Sequence, residues 1–164
     1  MNGTVSRKAK RPAPLTKADK ELIAAATAAI KRHYRDEWQE VGAALRTRSG
    51  KVFAGVNLDA YLGRMAVCAE AVALGRAFVD LGDAGIETIV AVRHPSPQEK
   101  DQSIAVVSPC GACRELIFDY DPKARVIVPD PLPSLPRKRG REGRGVAVPI
   151  AELLPNKYSR GPER

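Results

Sequence analysis

Three cysteines and one glutamate have the types and spacing that can do chemistry in this chain of 164 residues. Cys110 and Cys113 form a C-x-x-C pair directly after Pro109, and Cys68 lies upstream with Glu70 two residues later. Such a pair alone is typical of either a redox dithiol or part of a metal site. The third cysteine favours a metal, because a catalytic zinc site uses three protein ligands and keeps a fourth position open. A thioredoxin-like dithiol is disfavoured, since proline rather than an aromatic residue precedes Cys110.

Glu70 is the candidate proton carrier of this site. Predicted helices begin at Cys68 and Cys110, and the free N–H groups at a helix start favour thiolates. In the first helical turn, Glu70 can reach a metal-bound water, whose pKa zinc lowers toward about 7. The pattern C-x-E followed by P-C-x-x-C is typical of zinc nucleobase deaminases, in which the glutamate is not a ligand. The structural alternatives are buried thiols with a helix-start carboxylate, or a metal-stabilised protein without catalysis.

The elements that must position these residues follow from the hydrophobic pattern. Apolar residues at helical spacing predict a first helix over residues 17–34, with Thr16 and Asp19 as its capping box. Two more helices are predicted over 68–81 and 110–119. Strands are predicted over residues 41–47, 51–57, 88–92, 104–107, 125–128 and 146–148, and order continues over 150–154. This order predicts an α/β fold, a three-layer α-β-α sandwich with a mixed central sheet.

The charge distribution predicts one domain with basic ends. The net charge of +8 comes from residues 1–20 and 131–164, which carry +5 each, whereas residues 21–130 carry −2. We expect a disordered basic arm over residues 1–14 and a tail over 161–164. Between them we expect a single zinc-binding domain over 15–160, with a basic mobile loop over 131–145.

Several classes of protein are disfavoured by the same composition. The longest apolar stretch, residues 22–30, is far shorter than the roughly 20 residues that span a bilayer, so we expect no membrane partner. An odd number of cysteines cannot form a complete disulfide framework, which favours a reduced, cytoplasmic protein. The basic ends, 1–14 and 137–144, suggest nucleic-acid binding as an alternative. Solvated tails are the favoured interpretation, because the nearly neutral body carries no basic groove.

At the cysteine motifs the sequence resembles the cytidine deaminase superfamily, in its three-cysteine zinc branch. The resemblance covers about residues 16–160. Within the superfamily, several stretches resemble the bacterial blasticidin S deaminases: AYLGRMAVCAEAVALG (60–75), TIVAVRHP (88–95), VVSPCGACREL (106–116) and ELLPNKYSR (152–160).

The resemblance implies the cytidine deaminase-like fold and a reaction. A zinc-dependent hydrolytic deaminase converts the cytosine ring of a free nucleoside to uracil and releases ammonia. The substrate it implies is blasticidin S, cytidine or deoxycytidine. It also implies one Zn²⁺ per subunit held by Cys68, Cys110 and Cys113, with Glu70 moving the protons, and a homotetramer in which neighbouring subunits complete each site. A nucleic-acid cytosine or adenine deaminase, or an RNA-binding protein of this fold, is the alternative.

Two departures from the family concern the substrate. Where the family holds the sugar with Asn-x-Glu, this chain has Asn57 and Asp59, so these two are candidate substrate contacts beside Tyr158. Turn chemistry at a strand end is the structural alternative for Asn57 and Asp59, and packing is the alternative for Tyr158. The aromatic residue that the family places two positions before Val41 is replaced by Gln39, with Trp38 one position away.

A third departure concerns charge at the metal. The family carries an arginine directly after its catalytic glutamate, and this chain has Ala71 there. Three thiolates and Zn²⁺ sum to a net charge of −1, which weakens activation of a bound water. Arg64 and Arg114 are the candidates to offset that charge, and both are alternatively ordinary surface residues.

Overall fold

The first helix begins at the capping box that the sequence predicts. The computed structural model describes residues 14–82, 85–130 and 145–154, and helix α1 spans Lys17–His33. The Asp19 N–H donates to Thr16 Oγ1 at 3.1 Å, and the Thr16 N–H donates to Asp19 Oδ2 at 3.0 Å. These bonds satisfy N–H groups that have no partner inside the helix. The face of α1 that packs on the sheet consists of Leu22, Ile23, Ala26 and Ile30.

Six strands form one mixed sheet. They are β1 (Val41–Thr47), β2 (Val52–Val56), β3 (Ile86–Arg93), β4 (Ala105–Val107), β5 (Arg125–Val128) and β6 (Val146–Pro149). The order is β2-β1-β3-β5-β6, and only the β3–β5 pair is parallel. Strand β1 pairs along one edge of β3. On the other edge of β3, β5 pairs with residues 88–90 and β4 pairs with residues 91–93.

Helices cover both faces of the sheet. Helices α2 (Ala69–Leu81) and α3 (Gly111–Tyr120) lie on one face, and α1 lies on the other. Because side chains alternate along a strand, Ile89 belongs to the core under α2 and α3, while its neighbour Val90 belongs to the core under α1. The predicted three-layer α-β-α sandwich with a mixed sheet is confirmed.

The helices of the site begin one residue later than predicted. Cys68 and Cys110 are N-cap residues with extended backbone, so α2 and α3 start at Ala69 and Gly111. An N-cap contributes its carbonyl to the first turn without helical dihedral angles, a distinction that hydrophobic spacing does not reveal. Helix α2 ends as predicted at Leu81, and its C-cap, Gly82, has a φ of 74°, which is in the region that favours glycine.

Strand β3 is longer than predicted, and two short 3-10 turns lie in segments that the sequence did not assign to a helix or strand. Strand β3 extends beyond the predicted 88–92, because β1 pairs with it from Ile86 to Arg93. The segment 150–154 contains a 3-10 turn, Ile150–Leu153, and the loop 58–67 contains another, Gly63–Met65.

Several predictions lie outside the described residues. They are residues 1–13 of the basic arm, residues 131–144 of the basic loop, the residue Tyr158, and the tail over 161–164. Within the described part of the chain, no helix is long and apolar enough to cross a membrane.

A buried carboxylate ties the start of α1 to two strands. The Asp19 side chain is fully buried, and it lies 3.1 Å from Arg125 Nη2 and 3.6 Å from Arg46 Nη2. Burial disfavours its charged form, but hydrogen bonding to Thr16 and the Arg125 guanidinium outweigh burial and hold the pKa of the Asp19 carboxyl below its usual value. The ionised carboxylate therefore stabilises the fold.

We expect Asp19→Asn to lower the free energy of unfolding at neutral pH by about 2 kcal/mol, because two guanidinium groups lose their anion. A lowered pKa gives stability that is present above the unfolded-state pKa, near 3.9, and is lost as the pH falls through the folded-state value. The difference between wild type and variant should therefore shrink below about pH 4. Urea unfolding at several pH values measures it.

The matched control is Glu21→Gln, since Glu21 forms only an exposed pair with Lys17 at 3.9 Å. Its cost should be below about 0.5 kcal/mol. An Asp19→Asn penalty that is equally large at neutral and acidic pH would contradict the ionic explanation.

Candidate active site

The three cysteines converge where two helices begin. Cys68 caps α2, Cys110 caps α3 directly after β4, and Cys113 lies in the first turn of α3. The three Sγ atoms lie within 4.8 Å of one another, and the Sγ atoms of Cys68 and Cys110 are 3.7 Å apart. Among the residues that the structure describes, no other group of three His, Cys, Asp or Glu side chains converges in this way.

This geometry fits a zinc ion. Two thiolates on a tetrahedral Zn²⁺, each about 2.3 Å from the metal, are separated by about 3.8 Å. The 3.7 Å separation of Cys68 and Cys110 agrees with that value, and Cys113 completes a set of three ligands. A protein set of three leaves the fourth position of the metal open, as in catalytic zinc sites.

The surroundings of the three thiols shift their pKa values in different directions. Burial acts to raise the pKa of the Cys110 thiol, but the Cys113 N–H, which donates to Cys110 Sγ at 3.4 Å, and hydrogen bonds with the side chains of Cys113 and Cys68 together outweigh burial and lower that pKa. Burial raises the pKa of Cys113, and the nearby Glu70 carboxylate adds to the effect. Burial also raises the pKa of Cys68. A divalent cation at this position would favour all three thiolates and relieve their mutual repulsion.

Glu70 lies in the first turn of α2 with only 6% of its surface exposed. Burial raises the pKa of its carboxyl, while a hydrogen bond with Cys113 acts in the opposite direction. Helix α2 reaches this position because Gly55 on β2 lies directly under it. A Cβ atom at Gly55 would lie 2.8 Å from the Ala73 backbone nitrogen. The sequence-predicted group of three cysteines and one glutamate is thus brought together.

A cavity of about 290 Å³ opens beside this group. Its walls come from the start of β1, the segment after β2, the start of α2 and the segment after β4. The lining residues are Val41, Asn57, Leu58, Asp59, Ala66, Val67, Cys68, Ala69, Glu70, Val107, Ser108 and Cys110. Ser108 was not predicted as a site residue, and its position beside Pro109 in the cysteine motif is the only signal for it.

Asn57 and Asp59 both line the cavity, but their side chains have different partners. The Asn57 side chain hydrogen-bonds to the backbone of the segment that precedes β1. Asp59 is exposed, and its Oδ1 accepts the N–H of the next residue, Ala60, at 2.7 Å. The carboxylate of Asp59 is therefore accessible to a ligand.

The two arginines lie in different surroundings. Arg64 is exposed in the 3-10 turn between β2 and α2. Arg114 directly follows Cys113, and its Nε donates to the Pro109 carbonyl at 3.0 Å while Nη1 is 3.5 Å from the Leu153 carbonyl. Arg114 thus joins the segment before Cys110 to the end of the 3-10 turn at Leu153, a contact that the sequence did not suggest.

Comparison with known proteins identifies the family. The family model of the cytidine and deoxycytidylate deaminase zinc-binding region matches residues 16–128. The chain belongs to this family. It is 45% identical over 146 residues to a blasticidin-S deaminase from Bacillus cereus, covering 89% of this chain and 96% of that protein. It is also 30% identical over 120 residues to a cytidine deaminase from Sporosarcina psychrophila, covering 73% and 75% respectively.

The structures of family members agree with this assignment. A cytidine deaminase from Burkholderia pseudomallei superposes with a TM-score of 0.65 and 27% identity, covering 88% of this chain and all of that one. The predictions of the deaminase family, its fold, its zinc cofactor and hydrolytic deamination of a cytosine nucleoside are confirmed at this level. The nucleic-acid alternative is not favoured by these relatives.

We expect Cys113→Ser to lose bound zinc. Loss of a residue that hydrogen-bonds to a metal ligand lowers the metal affinity by up to about 100-fold, so loss of a ligand itself should lower it further. The zinc content of the purified protein should fall from about one ion per chain to nearly none, and the thermal midpoint should fall with it. Metal analysis of wild type and variant, prepared side by side, measures the effect.

Glu70→Gln is the control, since Glu70 is not expected to be a ligand and the amide keeps its volume. It should retain the full zinc content. A Cys113→Ser protein that binds zinc as tightly as wild type would contradict the three-cysteine site.

Proposed function

We propose that this deaminase acts on blasticidin S. The proposal rests on one observation: the identity of 45% to a blasticidin-S deaminase extends over nearly the whole of both chains. The identity to a cytidine deaminase is 30% over a shorter length. Cytidine and deoxycytidine are the competing substrates, which would assign the enzyme to pyrimidine salvage instead of antibiotic resistance.

The reaction in this proposal uses Cys68, Cys110 and Cys113 as metal ligands and Glu70 as the catalytic residue. Zinc supplies the Lewis acidity that lets a water molecule lose a proton near neutral pH. The Glu70 carboxylate accepts that proton and passes it to the ring nitrogen next to the reacting carbon. The water oxygen adds to the carbon that bears the amino group. Glu70 then takes the remaining hydrogen of the added hydroxyl group and delivers it to the leaving nitrogen, so water and cytosine become uracil and ammonia.

Asp59 is the proposed acceptor for hydrogen-bond donors in the part of the substrate outside the cytosine ring. Its carboxylate is exposed and lines the cavity together with Glu70. The family resemblance also implies substrate contacts by Asn57, which lines the cavity, and by Tyr158. Tyr158 lies beyond Leu154, the last residue that the structure describes.

Charge at the metal is offset in this proposal by Arg64 or Arg114 together with the starts of α2 and α3. Arg114 is supported by its place next to Cys113 and its bond to the Pro109 carbonyl. That bond brings a guanidinium beside the segment that leads into Cys110. Two helix N-termini contribute further positive potential at the thiolates.

The three cysteines also indicate the cellular compartment in which we propose that the enzyme works. None of the three cysteines forms a disulfide. Thiols that must remain free for a metal are best preserved in the reducing cytoplasm, which is the location we propose.

We expect the zinc-loaded protein to release ammonia from blasticidin S with a higher kcat/KM than from cytidine or deoxycytidine, compared side by side. Glu70→Gln should lower kcat on the preferred substrate by at least about 100-fold while retaining zinc, because a positioned general acid–base contributes that much. Ammonia release and the loss of cytosine absorbance measure the same reaction independently.

Glu21→Gln is the matched carboxylate-to-amide control, on the exposed face of α1, and should leave kcat unchanged. Exclusive turnover of the plain nucleosides would contradict the blasticidin S assignment. No turnover of any of the three by protein that holds zinc would overturn the proposed substrate class.

We also propose that the enzyme is a homotetramer. Apolar side chains on α2 and α3 are exposed in the single chain: Phe78 is 46% exposed, Val79 83% and Tyr120 48%. Phe78 and Tyr120 contact each other edge to face, with ring centroids 5.9 Å apart. Contiguous exposed apolar surface of this kind favours burial against another protein surface. The family resemblance implies that this surface is another copy of the chain.

We expect Val79→Glu to convert the tetramer into smaller species, because the carboxylate would be buried without a partner in the interface. Light scattering during size-exclusion chromatography gives the mass of each. Ala24→Glu, on the exposed face of α1, is the control and should leave the tetramer intact. A wild-type protein that elutes as a monomer would contradict the proposal.

A further inference from the structure

The side chain of Asn57 fastens the segment that leads into β1. Its Oδ1 accepts the N–H groups of Glu40 and Val41 at 3.0 and 2.9 Å. Its Nδ2 donates to the Trp38 carbonyl at 2.9 Å. The Asn57 N–H donates to the Val41 carbonyl at 3.0 Å. The residue that follows β2 therefore bonds to three of the four residues of the segment 38–41.

These bonds use most of the capacity of the Asn57 amide. A side-chain carbonyl oxygen has two lone pairs, and two N–H groups occupy both here. The partners also determine which amide atom is the oxygen, since the reversed amide would direct its N–H groups at two backbone N–H donors. A single N–H of Nδ2 remains for a ligand. Asn57 has no free acceptor for a sugar hydroxyl, whereas the neighbouring Asp59 carboxylate has one.

The fastened segment forms part of the cavity wall and carries an aromatic cluster. Val41 lines the cavity. The Trp38 ring meets Tyr61 edge to face, with centroids 5.1 Å apart, and Arg35 lies over the Trp38 ring at 5.4 Å. Tyr61 belongs to the loop between β2 and α2 that also lines the cavity, and it is 97% exposed. Asn57 therefore lies between two loops that meet at their aromatic rings.

We infer that Asn57 is a positioning residue that holds the Trp38–Val41 segment as a wall of the substrate cavity, and not an acceptor for the substrate sugar. The contact between the Trp38 and Tyr61 rings then packs this segment against the loop that carries Asp59. The inference rests on the proposed function only for the identity of the substrate. The role of Asn57 in holding the segment is independent of it.

Trp38 reports the position of this segment directly, because it is the only tryptophan in the chain. The experiment compares the zinc-loaded wild type with Asn57→Ala and Asn57→Asp, first without any substrate. In both variants the Trp38 emission should shift to longer wavelength and acrylamide quenching should increase. Asn57→Asp keeps the acceptor for Glu40 and Val41 but places a second carboxylate oxygen against the Trp38 carbonyl. It therefore disturbs the segment at Trp38 while the other two bonds remain, and it is the second variant if Asn57→Ala does not fold.

Asp59→Asn is the matched control for the fluorescence. Asp59 lines the same cavity, and the amide oxygen can still accept the Ala60 N–H, so Trp38 emission and quenching should be those of the wild type. Unchanged Trp38 fluorescence in both Asn57 variants, with zinc bound, would overturn the inference. A fluorescence change that Asp59→Asn reproduces equally would overturn it as well.

Kinetics on the preferred substrate provide the second measurement. Asn57→Ala should lower kcat/KM by about ten-fold, the equivalent of one or two net hydrogen bonds. In a Trp38→Ala background the same change should cost much less, because two residues that act through one segment are not additive. Full additivity would mean that Asn57 acts on the substrate directly. If no substrate is turned over, the proposed function fails while the fluorescence result still tests the positioning role.

Discussion

The structure depends on bringing two helix N-termini together over one face of a twisted sheet. Cys68 and Cys110 are separated by 42 positions in sequence, yet their Sγ atoms are 3.7 Å apart. Each is an N-cap, so its side chain lies at the tip of a helix, where unpaired N–H groups and the helix dipole favour negative charge. Three thiolates this close together would otherwise repel one another. The helix ends and a divalent cation together make their proximity stable.

The rest of the fold maintains that convergence. Gly55 allows α2 to approach β2 closely, because any side chain there would meet the backbone of α2. Strand β4 takes the half of the β3 edge that β5 leaves free, and the chain leaves β4 directly into Cys110. Asp19 and its two arginines fix α1 to the opposite face, far from the metal ligands in sequence. Core packing and the ion pairs thus hold two loops of the site to within the tolerance that a tetrahedral ion demands.

The sequence predicted which reactive side chains converge at the site better than it predicted the residues that form the cavity wall. The convergence of the three cysteines and Glu70 was predictable, because their types, their spacing and their places at helix starts follow one chemical requirement. The role of Asn57 was not, because its partners are backbone atoms of residues 38–41, and backbone groups leave no trace in residue identity. Arg114 is similar, since it bonds to the carbonyls of Pro109 and Leu153. Element bounds failed where pairing decides them, as at the ends of β3.

The separation between the reactive side chains on the helices and the residues of the cavity wall suggests how one catalytic group can serve different nucleosides. Glu70 and the cysteines belong to helices whose packing is determined by the sheet, so they change little without loss of the fold. Much of the cavity wall comes instead from segments 38–41 and 58–67, which join elements of the fold. Two departures from the family pattern, Gln39 and Asp59, lie in these segments. Changes there alter what the cavity admits while the metal and the proton carrier stay in place. If Asn57 holds the Trp38–Val41 segment as we infer, substrate selection in this enzyme resides in the two segments that Asn57 connects.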